Sequence, residues 1–149
     1  MNAPLEGESV ATVPQVQGFV PNPPVFSQAD KYEFLLSLDS FISGPKSKKP
    51  APYNWTDDGC SAPWWTLSQY WSGKFNRACV RHDFGYRNYG SKSKLKIGRS
   101  NYVHSRQKID DQFLKDMYHI AAGADGVKAA AYGYYWAVRS KGAGAFGEG

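Results

Sequence analysis

Cys79-Val80-Arg81-His82-Asp83-Phe84-Gly85-Tyr86-Arg87-Asn88 sets an imidazole and a carboxylate side by side. Phe75, Cys79 and Tyr86 recur at helical spacing, which predicts a helix over residues 75–89. On that helix Cys79, His82, Asp83 and Tyr86 stand at i, i+3, i+4 and i+7 and share one face. A histidine and an aspartate turned inward together are costly unless they are paired, hydrogen-bonded or bound to a metal.

Outward from this helix the periodicity stays helical. Ile109, Phe113, Met117 and Ala121 fall at i, i+4, i+8 and i+12 and predict a second helix face. Val127, Ala131, Tyr134 and Val138 predict a last helix that ends at Gly142, with a loose tail beyond. Upstream, Tyr32, Leu35, Leu36, Phe41 and Ile42 predict a helix over residues 28–42. It opens on Ser27-Gln28-Ala29-Asp30, a capping-box-like start, and stops at Gly44-Pro45. Residues 46–52 read as a solvated basic linker, residues 54–73 as irregular, and residues 90–98, with Lys92, Lys94 and Lys96, as an exposed loop. Residues 1–26 hold five prolines without a period and read as an extended arm, which leaves residues 27–149 as one domain. No alternating run argues for a sheet, so the expected architecture is all-α, with four helices.

A chain of 149 residues can bury a single core. A hydrophobic fraction of 42% against 21% charged residues excludes a disordered chain. No run of apolar residues is long enough to predict a membrane-crossing helix. The net charge of +5 favours an anionic partner, whether lipid headgroup, nucleic acid or acidic polysaccharide. Two cysteines exclude a disulfide-dense scaffold and leave one bridge, two thiols or two metal ligands. Met1-Asn2-Ala3-Pro4 lacks the basic and apolar regions of a signal peptide, so the chain is either cytosolic or has had a signal removed.

A histidine acting as a general base needs a partner that orients its second nitrogen. Asp110, at the edge of the second helix face, can meet His82 if the two helices pack antiparallel; Asp111 competes for that place. Asp57-Asp58-Gly59-Cys60 is an acidic turn of the kind that offers oxygen ligands to a hard cation. One turn cannot complete such a shell, and a bridge from Cys60 to Cys79 would bring Asp83 to it.

With these residues in view, Cys79 to Asn88 resembles the catalytic-helix signature of the secreted phospholipases A2 of the bacterial and fungal type. Trp55-Thr56-Asp57-Asp58-Gly59-Cys60 is similar to that family's calcium turn, and Lys108-Ile109-Asp110-Asp111-Gln112-Phe113-Leu114-Lys115-Asp116-Met117 resembles its second catalytic helix. The resemblance implies a small helical domain with two long antiparallel helices. It implies His82 as the base that takes a proton from water and Asp110 as the residue that orients it. It implies calcium (Ca2+) held by Asp58, Gly59 and Asp83, polarising the sn-2 ester of a glycerophospholipid. A Cys60–Cys79 disulfide, secretion, peripheral action on a phospholipid membrane or micelle, and a monomer are expected with it. The chain departs from the pattern at Gly59, where members usually carry a hydrophobic residue, and in having no cysteines for the second disulfide of Streptomyces-type members.

Trp55, Trp64, Trp65 and Trp71 crowd the region between turn and helix, and with the nearby lysines can dock the site on an anionic bilayer. Three rivals remain at this point. Cys60, Cys79 and His82 are possible zinc ligands. A metal-dependent phosphodiesterase or nuclease suits the basic charge, although no recognised nucleic-acid motif occurs and nucleic acid is not the expected partner. A lipid-binding module without catalysis would share the same surface.

Overall fold

In the computed structural model, which describes residues 28–60, 69–95 and 105–147, a π-helical turn at Lys31–Leu35 precedes seven α-helical segments. These are α1 (Leu38–Ser43), α2 (Pro45–Lys48), α3 (Gln69–Lys74), α4 (Asn76–Tyr89), α5 (Ser105–Ala121), α6 (Asp125–Lys141) and α7 (Ala143–Phe146). No strand occurs among the described residues, and the all-α expectation is borne out. The long helices α4 and α5 lie antiparallel: Arg81 meets Asp116 near one end of the seam, while Gly85 and Tyr86 meet Ile109 and Asp110 near the other. Helix α6 folds back on α5, with Tyr135 against Asp111 and Arg106 against the Val138 carbonyl.

Two apolar clusters fill the space between these helices. Tyr32, Phe41, Trp55, Phe84, Tyr89 and Ile109 belong to one, and Phe75, Cys79, Phe113, Met117, Tyr134 and Val138 to the other. The seam is tight at Gly85, where a Cβ would lie 2.7 Å from Ile109 Cγ2 and 3.0 Å from the Glu33 carboxyl. Glycine at this point lets the helices approach, which outweighs its usual helix cost of about 1 kcal/mol.

The single helix expected over residues 28–42 is broken. Leu36 is extended (φ −71°, ψ 149°), and Ser37 caps α1 by accepting the Ser40 N–H at 3.1 Å. The cause lies in the tertiary structure. The break turns the carbonyls of Tyr32 and Leu36 toward the buried Arg81, whose Nη1 donates to them at 3.0 and 2.8 Å. The remaining Arg81 donors form a bidentate pair with Asp116, at 3.0 and 2.8 Å. Three further expectations need correction. The end of the irregular segment is helical, because residues 69–74 form α3. Residues 46–52 are not a plain solvated linker: Pro45 starts α2, and Lys46 Nζ donates to the Trp55 carbonyl at 2.8 Å and to Asp57 at 2.5 Å. The tail is anchored, because α7 buries Phe146 against Tyr86 with ring centroids 5.1 Å apart. The expected arm over residues 1–26, Ser27 of the capping-box-like start, and the loop beyond Leu95 lie outside the described residues.

Glu33 is fully enclosed, and neither carboxyl oxygen has a hydrogen-bond partner among the described residues. Burial pushes its carboxyl well above the ordinary range; Arg81 pulls it down, and Asp116, Asp110 and Asp30 push it further up. An acid whose pKa is raised on folding binds its proton more tightly in the folded state. Stability is therefore complete below the ordinary carboxylate pKa of about 4.3 and is lost as pH rises from there toward the raised folded value. Glu33→Gln should accordingly be more stable than the parent at pH 7 by about 1–3 kcal/mol, with the gain vanishing near pH 4. Urea titrations at the two pH values measure it, and an equal difference at both would exclude Glu33 as the source.

Candidate active site

His82 sits at the middle of α4, buried between the rings of Tyr86 and Phe113, whose centroids are 4.3 and 4.6 Å away. Its Nε2 lies 2.8 Å from Asp110 Oδ1 across the seam. Asp110 is fully buried and accepts from Tyr86 Oη at 2.8 Å, from Arg139 Nη1 at 2.6 Å and, at 3.5 Å, from Arg106 Nη1. Burial alone would push the Asp110 carboxyl up; the hydrogen bonds from His82, Tyr86 and Arg139 outweigh it and hold the group below the usual range. An ionised Asp110 only accepts, so Nε2 donates to it, and Nδ1 is the ring nitrogen that does not face Asp110. Asp111, the competing residue, instead accepts from Tyr135 Oη at 2.7 Å and from Gln107 Nε2 at 2.9 Å.

The acidic turn is tied to α4 at three points. Asn88 accepts the Asn54 N–H at 2.8 Å and donates to the Asn54 carbonyl at 2.9 Å. Cys60 and Cys79 form a disulfide with Cα atoms 5.3 Å apart. The Asp58 N–H donates to Asp83 Oδ2 at 3.0 Å. The bridge joins cysteines 19 apart in sequence, and closing that loop contributes on the order of 3 kcal/mol in the chain-entropy account. It also removes both thiols as ligands, so the zinc reading through Cys60 and Cys79 fails. Gly59 has φ +61°, and a Cβ there would lie 2.7 Å from Asn76 Oδ1, so this turn needs glycine.

Asp57 and Asp58 part ways. Asp57 pairs with Lys46, whereas Asp58 faces Asp83 and lies 3.7 Å from Arg87 Nη2. Burial pushes the Asp83 carboxyl up to about 7; the Asp58 N–H lowers it and the Asp58 charge raises it again. A negative charge on Asp83 is therefore poorly balanced by the protein alone. Asp58, Gly59, His82, Asp83, Tyr86 and Phe113 line one cavity of about 530 Å³. Among the lining residues Asp58 and Asp83 bring carboxylates and Gly59 a backbone carbonyl, oxygen donors of the hard kind that suit calcium. Among the described residues no group of three or more His, Cys, Asp or Glu is placed to hold a metal ion by itself, so backbone carbonyls, water or substrate would have to complete a calcium shell.

Arg106 and Arg139 escape sequence reasoning. Arg106 stands four residues before Asp110, a spacing that hints at the contact, whereas Arg139 reaches it from α6 with no local sign. Of the four tryptophans near the turn, Trp55 is core and Trp71 stacks on Phe75, while Trp64 and Trp65 lie outside the described residues.

Residues 29–142 match the family described as prokaryotic phospholipase A2. A secretory phospholipase A2 of Beauveria bassiana (strain ARSEF 2860) is 33% identical over 97 residues, which cover 65% of this chain and 46% of that protein. A secretory phospholipase A2 of Arthroderma benhamiae (strain ATCC MYA-4681 / CBS 112371) is 30% identical over 100 residues, 67% of this chain and 62% of that protein. The matched part is thus less than two thirds of either relative.

Proposed function

The chain belongs to the prokaryotic phospholipase A2 family, and from that premise we propose that it cleaves the sn-2 ester of glycerophospholipids in a calcium-dependent reaction, releasing a lysophospholipid and a fatty acid. The observation that carries this reading is the 2.8 Å contact between Asp110 Oδ1 and Nε2 of His82, which lines a cavity together with Asp58, Gly59 and Asp83.

His82 acts as general base. Its Nδ1 takes a proton from water as the water oxygen bonds to the ester carbon, and returns it to the glycerol oxygen as the acyl C–O bond breaks. Water attacks directly, so no covalent acyl-enzyme forms. Asp110 fixes the tautomer of His82 and offsets the charge of the imidazolium, and Tyr86, Arg106 and Arg139 hold Asp110 in place. Asp58 and Asp83, through their carboxylates, and Gly59, through its carbonyl, would hold the metal. Calcium, when bound, supplies a Lewis acid that polarises the ester carbonyl and stabilises the developing negative charge on its oxygen. Phe113, Val138, Ala145 and Phe146 give the same cavity an apolar wall on which an acyl chain can lie. The enzyme works as a secreted monomer at a lipid surface, a setting in which the disulfide persists.

A phospholipid labelled at the sn-2 acyl group tests this reading. Label should be released with calcium, stop with excess chelator and resume when calcium is restored. Release that resists the chelator would remove the metal from the reaction. Release from sn-1, or none from folded protein, would overturn the assignment.

A further inference from the structure

We propose that a second cavity beside the catalytic one is a headgroup subsite that favours anionic glycerophospholipids; the inference rests on the phospholipase reading above. This cavity measures about 260 Å³ and shares Asn54, Arg87 and Lys92 with the catalytic cavity. A lipid with its ester at His82 can therefore extend its head past Arg87 without leaving the protein surface.

The lining is cationic. Arg87, Lys92 and Lys94 contribute positive charges, and among the described residues no carboxylate lines the cavity. Arg87 is held by Thr56 Oγ1 at 3.1 Å and lies 3.7 Å from Asp58, so its guanidinium bridges the proposed metal site and the second cavity. Lys92 and Lys94 have no carboxylate partner among the described residues. The Asn88 amide is occupied by Asn54 and by the Phe84 carbonyl, which leaves the cations to set the electrostatics.

The loop that presents the two lysines is anchored. Ser91 N donates to the Phe146 carbonyl at 2.9 Å, Ser93 N to the Gly90 carbonyl at 3.0 Å, and Leu95 N to Ser93 Oγ at 3.0 Å. Ser93 is buried, and Leu95 packs against the aromatic core. An anionic head ending in a neutral polyol gains charge-assisted contacts here. A choline head would bring its fixed positive charge among three like charges, which costs energy and selects against it.

Short-chain phospholipids kept below their micelle concentration separate this subsite from general attraction to a charged surface. The probes are monomeric phosphatidylglycerol and phosphatidylcholine with equal acyl chains. The parent should prefer the glycerol head by about tenfold in kcat/KM, near 1.4 kcal/mol. In Lys92→Gln/Lys94→Gln the ratio should collapse to within about twofold. Lys48→Gln/Lys115→Gln, which removes the same net charge elsewhere, should keep the parent ratio. No preference in the parent, an unchanged ratio in the first variant, or equal loss in both double variants would overturn the subsite. So would a preference seen on vesicles but absent with monomers. If neither lipid is cleaved, the phospholipase reading has failed. The subsite is then judged by calorimetric binding of the same monomers: weaker phosphatidylglycerol binding in Lys92→Gln/Lys94→Gln sustains it, and equal binding overturns it.

Discussion

His82→Gln should lower sn-2 hydrolysis by about 10²–10⁴-fold, the usual contribution of a positioned general base. The loss should appear in kcat with KM little changed, because the proposed base acts on water and does not hold the lipid. Glutamine keeps an N–H that can donate to Asp110, so the buried carboxylate retains a partner in place of His82 and the melting temperature should stay near the parent's. Asp110→Ala is a poorer test. It removes at once the acceptor of the Arg139 guanidinium and the Tyr86 hydroxyl and one contact of Arg106, so lost turnover would be mixed with lost fold. Steady-state kinetics beside a thermal melt measure the His82 effect. A folded His82→Gln enzyme within tenfold of the parent would take His82 out of the base role.

The contact between His82 and Asp110 is legible in the sequence because both stand on strongly periodic helices and only an antiparallel seam had to be supplied. The all-α class is legible for the same reason, since Ile109, Phe113 and Met117 leave no other period. Other features were set by partners distant in the chain. The spacing of Tyr32, Leu35, Leu36 and Phe41 runs across Leu36 without a local sign of a break, and the break becomes intelligible only when Arg81 is seen to need two carbonyls. Lys46 reads as one lysine of a basic run, yet it is the ion-pair partner that separates Asp57 from Asp58. Arg139 lies 29 residues from Asp110 and carries no motif. Phe146 follows a glycine-rich stretch that reads as a loose end, and its burial depends on a groove made by Tyr86. In each case local propensity is weak and a buried charge or an aromatic surface decides the conformation.

Arg81→Ala should destabilise the fold by about 3–5 kcal/mol, the usual cost of breaking a buried ion pair from one side. Arg81 and Asp116 are both buried, so truncation leaves the Asp116 carboxylate with Gln112 Nε2, at 2.9 Å, as its remaining side-chain donor. It also strips the Tyr32 and Leu36 carbonyls of their donor and opens a void beside Phe41, over whose ring the guanidinium lies at 5.4 Å. Arg81→Met with Asp116→Leu removes both charges and refills much of the volume, so it should recover a large part of that loss. The two carbonyls stay unpaired in both variants, which keeps the double variant below the parent. Urea unfolding of the parent, Arg81→Met, Asp116→Leu and the double variant forms a cycle that isolates the coupling. Single variants that cost under about 1 kcal/mol would mean that water reaches the pair and that it is no stronger than a surface bridge. Because Arg81 precedes His82 on α4 and Asp116 lies on α5 with Asp110, the same pair fixes the register in which imidazole and carboxylate meet. Turnover in the double variant should therefore stay below the parent's even where stability is regained, since apolar contact fills the seam without fixing its register as a bidentate pair does.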